Sequence, residues 1–138
     1  NGYCSDITRT FALGEIDRDL TKIADIVKAA NAAGFSAVRP GATASQVDAA
    51  ARSVIEETGY GSFFTHRTGH GLGLEAHEEP YLHAESETIL EEGMTFTIEP
   101  GIYLPGRGGV RVEDDVVVTS DGAKRLTTLP RSLHILEV

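Results

Sequence analysis

The hydrophobic period changes twice along this chain, and that double switch limits the folds open to it. From Tyr3 to Leu13 the β-formers Tyr, Ile, Thr and Phe dominate. Tyr3, Ile7, Phe11 and Leu13 share one face, and Cys4, Asp6, Thr8 and Thr10 the other. From Glu15 to Ala33 the apolar residues Ile16, Leu20, Ile23, Val27 and Ala30 recur at helical spacing, and Gly34 supplies a stop. Pro40-Gly41 turns the chain. Thr43-Ala44-Ser45-Gln46 has the form of a capping box, in which the Thr hydroxyl and the Gln side chain satisfy orphan helix-start donors. Val47, Ala50, Ala51, Val54 and Ile55 make the buried stripe of this second helix, expected to end at Gly59. Both helices read as packing elements without chemistry.

Period two then returns. In Met94 to Leu104, Met94, Phe96 and Ile98 face one way and Thr95, Thr97 and Glu99 the other. A strand over Val110 to Thr119 sets Arg111 and Glu113 opposite Val110, Val112, Val116 and Val118. Asp121-Gly122 predicts a hairpin turn into Lys124 to Leu129. A strand, two helices and an antiparallel set of strands make the expected class α+β.

A length of 138 residues fits one domain with a real core. At 41% hydrophobic and 24% charged, the composition is globular. The net charge of −9 argues against nucleic acid as a partner, because phosphate binding needs a basic surface. No apolar run approaches the ~20 residues that cross a bilayer, and no secretory signal is visible, so no membrane partner is expected. A single cysteine, Cys4, excludes an internal disulfide and suits a reducing, cytoplasmic setting. The chain opens without Met on Asn1-Gly2, a hairpin-turn dipeptide followed by only one strand. The expectation is a fragment whose preceding strand lies outside it.

The richest segment chemically runs from His66 to Pro80, where three of the five histidines, His66, His70 and His77, are interleaved with Gly69, Gly71 and Gly73. Imidazoles bind borderline metals and move protons near neutral pH, and glycines permit close backbone approach. A surface loop that happens to be rich in His and Gly has the same composition. Three carboxylates stand beside it: Asp6 on the mixed face of the first strand, Glu99 before the Pro100-Gly101 break, and Glu113 among valines. Such carboxylates lie on the solvent side of a half-exposed sheet or, on a covered concave one, must be paired or bound to cations. One His with several carboxylates suits Mn, Co, Fe or Zn rather than copper. Carboxylates can also bridge two ions ~3.5–4 Å apart.

The strings Ser5-Asp6-Ile7-Thr8-Arg9-Thr10-Phe11, Gly69-His70-Gly71-Leu72-Gly73, Thr97-Ile98-Glu99-Pro100-Gly101 and Gly109-Val110-Arg111-Val112-Glu113-Asp114 occur here in order. Together they closely resemble the pita-bread metallopeptidases, a family that includes methionine aminopeptidase, aminopeptidase P and the Xaa-Pro dipeptidases (prolidases). The resemblance covers essentially the whole chain. It implies the pita-bread fold, a curved antiparallel sheet covered by helices, with residues 1–138 as the C-terminal portion of a single catalytic domain. It also implies two divalent ions, Mn, Co or Zn, held by two Asp, one His and two Glu. Matched residue by residue, Asp6 is the second Asp and is shared by both ions. His70 is the His ligand, Glu99 a ligand of the same ion near the attacking water, and Glu113 the bridge. His66 and His77 are the non-ligand histidines that hold substrate and stabilise charge. Arg111, two residues before Glu113, is similar to the prolidase and aminopeptidase P branch. Either it orients the bridging carboxylate and binds peptide oxygens or it makes a structural salt bridge. The family's first Asp would fall before Asn1.

The activity so implied is hydrolysis of the peptide bond preceding proline, in a dipeptide or at a peptide's N-terminus, by a metal-activated water. Glu99 takes the water's proton, His77 and one metal stabilise the oxyanion, and His66 and Arg111 position the substrate. The implied partners are a peptide with proline second, the missing N-terminal portion of the same protein and, by family habit, a second copy in a homodimer. The 138-residue chain alone, one ligand short, is expected to bind metal weakly and turn over little. Two alternatives share the fold: a peptide-binding protein without peptidase activity, and a creatinase-like amidinohydrolase that uses no metal. Asp6, Glu99 and Glu113 speak against the latter, because three carboxylates without cations repel one another.

Overall fold

The fold is described from a computed structural model over residues 1–137. Helix α1 spans Arg18–Ala37 and helix α2 spans Ala44–Glu57. Asp17 caps α1 by accepting from the Asp19 N–H at 2.9 Å. The capping box of α2 is formed in both directions: Thr43 Oγ1 accepts from the Gln46 N–H at 3.3 Å, and Gln46 Oε1 accepts from the Thr43 N–H at 3.1 Å. Gly34 does not stop α1. The helix runs through it, and a Cβ there would come within 3.2 Å of both Ala51 Cβ and Ile98 Cγ2. Gly34 is therefore the point where α1 meets α2 and the sheet, and packing overrides its weak helix propensity. α2 ends at Glu57, and Gly59 takes a φ of 84° two residues beyond.

The central sheet has five antiparallel strands in the order β3-β2-β4-β7-β8. These are β2 (Gly69–Gly71), β3 (Glu78–Leu82), β4 (Thr95–Ile98), β7 (Asp114–Thr119) and β8 (Gly122–Arg125). β5 (Gly101–Leu104) and β6 (Gly108–Arg111) form a separate hairpin. β1 (Phe11–Leu13) pairs in parallel with β9 (His134–Leu136). The α+β class is as expected.

The sheet differs from the sequence expectation in its breaks. The alternating run Met94 to Leu104 is two strands, β4 and β5. The run Val110 to Thr119 is likewise β6 and β7. The interruptions lie opposite each other, because Ile98 pairs with Asp114 and Gly101 with Arg111. Between them the Glu99 N–H leaves the ladder to donate to Thr68 O at 2.8 Å, and Pro100 has no N–H to give. The hairpin turn falls on Ser120-Asp121, with Gly122 already paired to Thr119, and the last strand stops at Arg125. The expected strand from Tyr3 to Leu13 shrinks to Phe11–Leu13 plus one bridge from Thr8 to Glu113. A strand needs a ladder partner, and residues 3–7 have none among the described residues. Their apolar face stays out, with Tyr3 74% exposed.

The two helices cover one face of the sheets. Ile23, Val27 and Ala30 of α1 pack with Ile55, Phe64, Ile102, Val110 and Val112. Val47 of α2 packs with Leu82, Leu90, Phe96, Ile98, Val116 and Val118. Among these apolar contacts the helices also bury Asn31 and Asp48. The helices are thus not pure packing elements.

Candidate metal centre

Two glycines fix the backbone that carries His70. A Cβ at Gly69 would lie 1.9 Å from Thr97 O, and one at Gly71 would lie 2.2 Å from Glu79 O. Only glycine lets β2 press against β4 and β3 at this distance, and the register shifts by a bulge between His70 and Gly71. The buried His70 ring is oriented by its Nδ1, 3.0 Å from Gly71 O. A carbonyl oxygen can only accept, so Nδ1 carries the proton and, in neutral imidazole, Nε2 presents a lone pair.

That lone pair faces carboxylates. His70 Nε2 lies 3.3 Å from Glu99 Oε1 and 3.9 Å from Asp6 Oδ2. Glu99 follows β4 directly and Glu113 precedes β7, so the opposed strand breaks bring both to one level. Ligand atoms of His70, Glu99 and Glu113 all lie within 4.8 Å of one another, as do those of Asp6, His70 and His77. Asp6 is held from behind, where Asp115 accepts its N–H at 3.1 and 3.3 Å. Glu113 receives the Thr8 hydroxyl at 2.5 Å, and the Glu113 N–H donates to Thr8 O at 3.1 Å. Arg111 Nε donates to that same Thr8 hydroxyl at 3.0 Å. It makes no ion pair among the described residues, so it reaches Glu113 through Thr8 rather than by a salt bridge.

The residues expected on the substrate side line an open cavity of about 520 Å³, bounded by His66, Arg67, His70, His77, Glu99 and Arg111. The His77 ring lies 4.2 Å from that of His70. His66 stands apart from the carboxylates: its Nδ1 is 2.7 Å from Arg67 O and its Nε2 is 2.8 Å from the Tyr103 hydroxyl. Thr8, Asp115, Tyr103 and Arg67 were not legible as site residues from the sequence. Asp115 and Thr8 had a signal of position only, each standing two residues after an expected ligand, Glu113 or Asp6, in the same alternating run.

The electrostatics are those of an anionic site short of positive charge. Burial pushes the Glu113 carboxyl up to about 7; the Thr8 hydroxyl opposes this, and the Glu99 and Asp6 charges add to it. Glu99 is raised by burial, against the pull of Arg111 and Thr97, with Asp6 adding repulsion. Asp115 is raised by burial too, against the hydrogen bond from the Asp6 N–H, with the Asp6 charge adding repulsion. His66 is lowered by burial, against its bond to Arg67 O, and the Arg111, Arg52 and Arg67 charges lower it further. A donor lone pair aimed among three carboxylates is unfavourable until a cation sits between them. The residues present therefore fit a hard-to-borderline divalent ion.

Comparison with known proteins agrees. The profile of Metallopeptidase family M24 matches residues 1–120. "Probable dipeptidase PepE" of Mycobacterium tuberculosis is 52% identical over 137 residues, 99% of this chain and 36% of that protein. The Xaa-Pro dipeptidase of Pyrococcus furiosus is 50% identical over 133 residues, 96% of this chain and 38% of that protein. A crystal structure of a dipeptidase from Pyrococcus horikoshii superposes with a TM-score of 0.96 at 60% identity, over 98% of this chain and 38% of that one. The chain thus spans between a third and two-fifths of the length of these relatives. The fold is the pita-bread fold of the prolidases, and the chain belongs to metallopeptidase family M24.

Proposed function

We propose that residues 1–138 are the C-terminal portion of the catalytic domain of a metal-dependent peptidase that hydrolyses the bond preceding proline, in Xaa-Pro dipeptides or at the N-terminus of longer peptides. The observation that carries this reading is the His70 Nε2 lone pair set 3.3 Å from Glu99 and 3.9 Å from Asp6, with Glu113 alongside. Asp6, His70, Glu99 and Glu113 would hold two divalent cations, with manganese, cobalt or zinc as candidates for this oxygen-rich donor set. When bound, such cations supply Lewis acidity that brings the pKa of a water toward neutrality.

The chain's own residues do the rest. Glu99, its affinity for a proton raised by burial, accepts the proton of the attacking water at Oε1. His77, at the mouth of the cavity beside His70, donates toward the developing oxyanion. Arg111 donates to the Thr8 hydroxyl, which steadies Glu113, and faces the cavity where a substrate carbonyl or carboxylate would lie. Neutral His66, locked between Arg67 O and Tyr103, shapes the wall against which the substrate rests. The substrate partner is a peptide with proline second. A cytoplasmic setting suits the unpaired Cys4, and a homodimer is the assembly we propose.

The test is an assay of the whole protein on Xaa-Pro dipeptides against longer Xaa-Pro peptides with added manganese, together with elemental analysis. Proline-specific cleavage with two equivalents of metal supports the reading. Absence of both bound metal and cleavage overturns it.

A further inference from the structure

A second cavity, sharing no lining residue with the one at His70, is basic. Asp114, next in sequence to Glu113 and buried, receives Arg9 Nη2 on Oδ1 at 2.6 Å and Arg125 Nε on Oδ2 at 2.9 Å. Arg131 Nε stands 4.0 Å from the same Oδ2. Asn31 Oδ1 is shared in the same way, by Arg125 Nη2 at 3.3 Å and Arg131 Nη1 at 3.2 Å. Three guanidiniums thus crowd one carboxylate and one amide oxygen. Arg9 also ties down the adjoining loop through Leu129 O at 2.8 Å and Pro130 O at 2.7 Å.

The loop so braced closes a cavity of about 370 Å³, lined by Lys28, Asp114, Arg125, Thr128, Arg131 and Ser132 among others. Arg125 Nη1 and Arg131 Nη2 have no acceptor among the described residues, and neither do the hydroxyls of Thr128 and Ser132. Lys28 adds another charge. Three of the twelve Lys and Arg residues gather round one carboxylate, and a fourth, Lys28, lines the same cavity, in a chain whose net charge is −9. Burial lowers the Arg125 pKa against the bond to Asp114 and its charge, and the neighbouring Arg131 and Arg9 charges lower it further.

We propose that this pocket, bounded by Lys28, Arg125, Arg131, Thr128 and Ser132, binds a small oxyanion of the phosphate class. Guanidinium N–H groups match tetrahedral oxyanions, and the two hydroxyls donate to whatever oxygens remain. The bound anion neutralises the excess charge around Asp114 and fastens the loop over 127–132 to α1 through Lys28. The proposal stands apart from the metal reading.

The experiment is calorimetric titration of inorganic phosphate into the whole protein, stripped of metal and kept in chelator, against chloride at equal ionic strength. One saturable equivalent is expected. Arg131→Gln should weaken it about tenfold, the loss of one charge-assisted hydrogen bond, and Lys28→Gln about threefold. Arg111→Gln, in the cavity of the metal centre, should leave it unchanged. No saturable binding overturns the proposal, and so does affinity lost with Arg111→Gln but kept with Arg131→Gln. If the Arg131 variant does not fold, exposed Lys28 decides, and unchanged affinity in Lys28→Gln overturns it.

Discussion

Thr68 donates its hydroxyl to the buried Asp48 carboxylate at 2.6 Å, so a residue of α2 holds the backbone that leads into His70. The same carboxylate takes Arg52 Nε at 3.1 Å and Nη2 at 3.0 Å. Arg52 in turn donates to Phe64 O at 3.1 Å and His66 O at 2.9 Å. Thr68 O accepts the Glu99 N–H. One ion pair on a helix therefore fixes the peptides that carry His66, His70 and Glu99. Asp48→Ala should destabilise the fold by about 3 kcal/mol, since it strands a partly buried guanidinium and a buried hydroxyl. Asp48→Asn, which keeps an acceptor, should cost less. Urea denaturation of the whole protein measures both, and equal losses would refute this account.

The glycines of β2 give a sharper steric test. Gly69→Ala forces a Cβ to 1.9 Å from Thr97 O, a backbone atom that can move only by breaking the β2–β4 contact. The cost should exceed about 3 kcal/mol, the upper end for overpacking. Gly122→Ala meets nothing within 4 Å and needs no positive φ, so it should fall within about 0.5 kcal/mol of neutral. Similar losses at both positions would sink the argument.

Element types were legible where local chemistry decides them. The capping box at Thr43 is an i to i+3 signal, and it formed as expected. Gly34 misled because its role is set by Ala51 and Ile98, distant in sequence. The strand breaks at Glu99 and Val112 were hidden for a similar reason: an alternating pattern does not reveal that one N–H has been drawn off to Thr68. Spacing could not bring Asp6, His70, Glu99 and Glu113 together, and only the four strings suggested that they meet. No local signal gave the supporting residues their roles, since the value of Thr8 lies in a bond to Glu113 across 105 positions.

Thr8 yields a prediction of its own. Its hydroxyl accepts from Arg111 and donates to Glu113, so it orients a proposed metal-holding carboxylate without itself being a ligand. Thr8→Val keeps the shape and removes both bonds. Metal affinity of the whole protein, read by competition with a fluorescent chelator, should fall about 10- to 100-fold, with a stability loss of about 1–3 kcal/mol from the buried Glu113 left without its partner. A Thr8→Ser variant should restore it. Equal affinity in Thr8→Val and the native protein would leave Thr8 no positioning role.

Glu113 sets the pH response of the metal-stripped protein. Its folded pKa, about 7, lies above the ordinary 4.5, so the folded state holds a proton that the unfolded state has released. Stability is therefore greatest below about pH 4.5 for this group and is lost as pH rises through 7. The loss amounts to about 3 kcal/mol at most. Glu99 and Asp115, both raised by burial, tilt the curve the same way. Glu113→Gln removes the largest part of the slope and should make the stripped protein more stable than native above pH 7. Added manganese should reverse the sign, because cations compete with protons for these carboxylates and metal binding strengthens as they ionise. Urea midpoints measured across this range, with chelator and with manganese, test both slopes. Parallel curves would mean that the carboxylates facing His70 do not hold the cation.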